Sequence, residues 1–154
     1  MRAEIDQSGK MGNTSVDTVL AMSNGCNFAI LIPAPVKRSV LAKLKAQGIS
    51  KTRAVIRMFT AGLLLLLSRH IGLLTLIIID QEYPGYEADI KGMLLQRFKE
   101  RSIYFEPDSI VFRRIGKRSP AHRLAISVYR GRRTPDKIVT EKELFLIAAR
   151  RKKY

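Results

Sequence analysis

Apolar positions along this 154-residue chain alternate between short continuous runs and stripes of helical spacing. Phe28-Ala29-Ile30-Leu31-Ile32 is a continuous run bounded by turn residues, the pattern of a buried strand. Pro33 and Pro35 end it and open a helix at about residue 35. Val36, Val40, Leu41 and Leu44 share one face of that helix, with Lys37, Arg38, Lys43 and Lys45 on the others. Gly48 stops it, and Ser50 caps a second helix running to about Ser68. The apolar run from Ala61 to Leu67 is far short of the about 20 residues of a membrane span, so it reads as a helix buried on most sides.

Leu73 to Ile79 predicts a second strand ending at Asp80, apolar enough for burial on both faces. Pro84-Gly85 turns the chain into a helix from about Tyr86 to Arg101, with Ile90, Met93, Leu94 and Phe98 as its core stripe. A third strand runs from Ile110 to Ile115, and Ser102 to Phe105 offers a further strand that would pair with it as a hairpin. Ser119-Pro120 is a compact helix start, followed by Ala121, Leu124, Ala125 and Val128 on one face and a stop at Gly131. Thr140 with Glu143 forms a capping box for a last helix that turns Leu144, Ile147 and Ala148 inward.

Strands alternating with helices predict an α/β domain. The expected form is small and three-layered: a short, mainly parallel sheet of about three or four strands flanked by helices. Residues 1–25 are polar and small, with no visible period, and are expected to be a disordered lead. Residues 26–149 form the single α/β domain, and 150–154 a basic tail. The lone Cys26 excludes an intrachain disulfide framework. With no secretory pattern and no membrane span, a cytoplasmic protein is expected.

Charge changes the picture more than composition does. The net formal charge is +15, unevenly placed. Residues 37–57 carry seven Lys/Arg and no acid, and residues 113–154 carry fourteen against three acids. Residues 1–36 sum to −1 and residues 58–112 to −2, so the two basic blocks flank an apolar, slightly acidic middle. Segregation of this kind is the footprint of a protein that holds a polyanion, so the expected partner is nucleic acid, RNA or DNA.

Ligands of a parallel sheet bind beyond the carboxyl ends of its strands. Asp80 and Glu82 lie beyond the second strand, and Glu87 and Asp89 on the next helix can join them. Hard cations such as Mg²⁺ or Mn²⁺ take carboxylate oxygens of this kind. Beyond the third strand, Lys117, Arg118 and Ser119 precede a helix start suited to phosphate, and His122 lies one turn in as a proton carrier or ligand. Arg130, Arg132 and Arg133, next to Tyr129, are further backbone contacts for a nucleic acid. His70, with no carboxylate close in sequence, reads as structural.

Phe28 to Leu67 has the order strand, helix, Gly-Ile-Ser turn, helix. That layout resembles ribbon-helix-helix DNA-binding domains, which implies a dimeric regulator over residues 28–68. Gly48-Ile49-Ser50 also resembles the turn of a helix-turn-helix. Neither alternating set of strand residues offers a basic reader. The leading expectation is a nucleic-acid-binding protein that cuts phosphodiester bonds as a divalent-metal-dependent nuclease, with Asp80, Glu82 and His122 catalytic. The alternatives are the non-catalytic DNA-binding regulator, as a homodimer, and an RNA-binding subunit of a ribonucleoprotein.

Overall fold

A computed structural model describes residues 1–149. It is an α/β fold built on one six-stranded mixed sheet with helices on both faces. The strands are β1 (Arg2–Ser8), β2 (Thr18–Ser23), β3 (Phe28–Ile32), β4 (Leu76–Asp80), β5 (Ile110–Arg113) and β6 (Lys137–Ile138). The helices are α1 (Ala34–Ala46), α2 (Lys51–Leu67), α3 (Glu87–Glu100), α4 (Pro120–Tyr129) and α5 (Glu141–Ala148). The strand order is β5-β4-β1-β2-β3-β6. β1, β2 and β3 form an antiparallel meander, while β4 pairs parallel to β1, β5 parallel to β4, and β6 parallel to β3.

The sheet is therefore larger than the three or four strands expected, and mixed where a mainly parallel one was anticipated. The difference lies in residues 1–25, which form β1 and β2 in place of a disordered lead. β1 turns Ala3 and Ile5 to the core while Glu4 and Asp6 face the other way. Its polar alternate positions hide a half-buried strand within a polar stretch. β2 is buried along its whole length. Residues 102–105 form no strand; a 3₁₀ turn at Pro107–Ser109 leads into β5 instead. The basic tail, 150–154, lies outside the described residues.

One face of the sheet carries the main core. Ile5, Leu20, Met22, Ile30, Ile32, Ile77 and Ile79 pack there with residues of α1, α2, α3 and α5. α2 buries most of its circumference, as its apolar run predicts. The other face carries α4, seated on β1, β2 and β3. Leu124, Ala125 and Val128 close over Val19, Ala21 and Ala29, so small side chains let the helix approach the sheet.

The chain between β1 and β2 is tied to α1. Asp17 Oδ1 accepts from the Ala34 N–H at 2.8 Å, satisfying a free donor of the helix start. Lys37 is fully buried, against the expectation that it lies on an outer face. Its Nζ donates to Lys10 O, Asn13 O and Thr18 Oγ1 at 3.1, 2.7 and 2.9 Å. Three acceptors are what a buried ammonium needs. No helix among the described residues is long and apolar enough to cross a membrane.

Candidate functional site

β1 and β4 are parallel neighbours in the centre of the sheet, with Ile5 opposite Ile79. One residue further on, Asp80 ends β4 and Asp6 stands level with it in β1, two residues before that strand ends. Behind Asp80 the chain turns tightly, with Glu82 N donating to Asp80 O at 2.9 Å. One carboxylate oxygen from each of Asp6, Asp80 and Glu82 lies within 4.8 Å of the others.

α4 adds a histidine against Asp6, outside the carboxylate group. Ser119 Oγ accepts from Ala121 N at 3.2 Å and donates to Glu4 Oε2 at 2.8 Å, which pins the helix start over β1. His122 then lies over Asp6, the next residue of β1 on that face, with Nδ1 2.7 Å from Asp6 Oδ2. Asp80 is oriented in turn by the Ile115 N–H, which donates to its Oδ1 at 2.6 Å. Both aspartates are thus held by the fold from outside the cluster, as preorganised ligands are.

The electrostatics of the cluster are unfavourable for three bare carboxylates. Burial pushes the Glu82 carboxyl up to about 7, helped by its hydrogen bond to Asp80 and the negative charges of Asp80 and Asp6, with Lys10 opposing. Asp6 is also raised, chiefly by burial; its hydrogen bonds to the Gln7 backbone and His122 pull the other way. Near-buried acids that repel each other require a proton or a cation between them. An all-oxygen donor set with half-exposed members suits a hard divalent cation.

Of the residues named from the sequence, Asp80 and Glu82 come together with Asp6, which the sequence reading left in the lead, and His122 joins through Asp6 alone. Glu87 and Asp89 stand in the first turn of α3 and are not part of the cluster. Lys117 and Arg118 are exposed in the turn before α4, and Arg130, Arg132 and Arg133 are exposed beyond its other end. Ser119 spends its hydroxyl on the helix cap and on Glu4, so it is not free for phosphate. His70 lies against the Phe28 ring, centroids 5.1 Å apart.

Between residues 113 and 133 there are eight Lys/Arg and no acid. Arg113, Arg114 and Arg118 line a depression of about 450 Å³ with Arg2, Glu4 and Ser119. Arg123 and Arg133 line a second, of about 270 Å³, and the two meet at Pro120. A cationic tract therefore flanks the start of α4, one turn from His122. Asp6, Arg113, Arg114 and Arg123 were the residues missed. For the arginines the signal was the charge count; for Asp6 it was the Ala3-Glu4-Ile5-Asp6 alternation. No protein-family model, curated protein or solved structure matches the chain.

Proposed function

We propose that this protein is a divalent-metal-dependent nuclease. The observation that supports this most is the convergence of Asp6, Asp80 and Glu82 on one point beside a tract of exposed arginines. Asp6, Asp80 and Glu82 would hold Mg²⁺ or Mn²⁺. Such an ion, when bound, polarises a phosphodiester and lowers the pKa of a coordinated water. Asp6 and Asp80 would set the ligand positions rigidly, because Asp6 lies within β1 against His122 and Asp80 ends β4 with the Ile115 N–H on its carboxylate. His122 gives its Nδ1 to Asp6, which leaves Nε2 to take up or deliver a proton at the reacting phosphate. Arg113, Arg114, Arg118 and Arg123, with Lys117, Arg130, Arg132 and Arg133, seat the anionic backbone. The lone Cys26 keeps a reducing cytoplasm as the expected compartment.

The regulator reading needs β3 to pair with its own copy in a dimer. β3 is already paired on one edge with β2 and on the other with β6, which argues against it. A ribonucleoprotein subunit would use the same arginines without the carboxylates.

Asp80→Asn tests the nuclease reading. It keeps the shape and the Ile115 contact and removes one charge from the cluster. Cleavage of mixed RNA and DNA substrates in Mg²⁺ or Mn²⁺ should fall by at least about 100-fold, the scale of losing a charge-stabilising group. Binding of the same substrates should hold or tighten, because a repeller of phosphate is gone. An Asn variant that cuts at the wild-type rate overturns the reading.

A further inference from the structure

Glu82 is also a wall of two adjoining cavities that no residue of the arginine tract lines. The first, of about 340 Å³, is bounded by Gln7, Lys10 and Asn13. The second, of about 370 Å³, is bounded by Lys51, Ile56, Pro84 and Tyr86. Both share Val55, Glu82 and Tyr83, so they form one cleft with Glu82 in its wall. Each lies within the roughly 300–1,000 Å³ of small-ligand sites.

The lining has two kinds of chemistry. Val55, Ile56, Pro84 and the rings of Tyr83 and Tyr86 make apolar, flat surfaces. Tyr83 is a fixed wall: its ring lies against Phe59, centroids 4.8 Å apart, and its hydroxyl donates to Gln7 Oε1 at 3.1 Å. Lys10 and Lys51, both exposed, supply a cation in each half of the cleft. An aromatic platform with flanking cations complements a nucleotide, whose base has an apolar face and whose phosphate is anionic.

We propose that this cleft receives one unpaired nucleotide of the strand being cut, its base against Tyr86 and its phosphates beside Lys10 and Lys51. The substrate is then single-stranded or locally unpaired nucleic acid. The inference rests on the nuclease reading above and names its substrate class. A base held in a duplex reaches a concave cleft only by leaving its stack. Strand state is therefore the variable that decides.

The test uses the full chain and a labelled oligonucleotide, single-stranded or annealed to its complement. Anisotropy at low salt in EDTA reads binding, and gel assays in Mn²⁺ read cleavage. The single strand should bind more tightly and be cut faster than the duplex. Tyr86→Ala and Lys51→Glu should each weaken single-strand binding about tenfold and raise KM, with Tyr86→Phe near wild type. Lys51 is exposed, so its variant keeps the fold even if Tyr86→Ala loses it. Equal handling of both strand states, or wild-type single-strand affinity in Lys51→Glu and a folded Tyr86→Ala, overturns the cleft even where Asp80→Asn abolishes cleavage. Cleavage that survives Asp80→Asn overturns the nuclease reading instead, and the anisotropy still decides the cleft.

Discussion

Lys37 shows how one residue fixes the surroundings of the cluster. Its ammonium is enclosed and orders the chain that carries Lys10 and Asn13, two walls of the cleft. Lys37→Met leaves two carbonyls and the Thr18 hydroxyl without their donor. The expected cost at neutral pH is about 1–3 kcal/mol of stability, read by urea unfolding. Burial lowers the Lys37 pKa from 10.5 to about 8, against the pull of Asp17. Between those values the unfolded chain binds more protons than the native one, so Lys37 adds stability as pH rises from about 8 to 10.5 and loses it as pH falls back. The gap between wild type and Lys37→Met should widen by roughly 2–3 kcal/mol from pH 7.5 to pH 10.5. A gap that stays constant with pH excludes this account of the buried amine.

Among the elements, those with self-contained signals were readable in advance. The Ser50, Ser119 and Thr140 caps all accept the expected backbone N–H groups, and Glu143 completes its box. β3, β4 and β5 announced themselves as apolar runs within a few residues of their bounds. β1 and β6 did not, because their evidence lies in their neighbours, and β2 was missed although Val19 to Met22 is an apolar run, because polar, glycine-containing stretches flank it on both sides. β1 shows only Ala3 and Ile5 to the core, and β6 has two residues. Asp6 was missed for a related reason: the alternation around it signals only a short strand, and it becomes a candidate ligand only once β4 sets Asp80 beside it. Lys37 was misplaced because composition puts lysines outside, and nothing local reveals three waiting acceptors. The turn leaving β1 can be tested directly. Gly9 has φ +77°, and a Cβ there would collide with the Asp17 carbonyl and the Tyr129 ring. Gly48, at φ +82° after α1, has open space around it. Gly48→Ala should cost about 1 kcal/mol, the backbone penalty alone. Gly9→Ala should cost about 3 kcal/mol or more, since β1, β2 and α4 must part. Equal melting temperatures for the two variants would remove the role given to Gly9.

At the scale of the whole molecule, the proposed reading gives association to charge and chemistry to the sheet. If six cations of the tract meet phosphates, log affinity should fall against log salt with a slope of about −4 for single strands and about −5 for duplex. Anisotropy titrations between low and moderate salt measure it. A slope near zero means that the tract does not hold a polyanion. The carboxylates obey a different logic. Asp6, Asp80 and Glu82, with His122, come from stretches that touch nowhere along the chain and meet only across β1, β4 and α4. On the proposed reading, a fragment that lacks any of these stretches is inactive. A chain that ends before α4 would carry the three carboxylates without the His122 imidazole beside Asp6, and on that reading it should bind the ion and not cut.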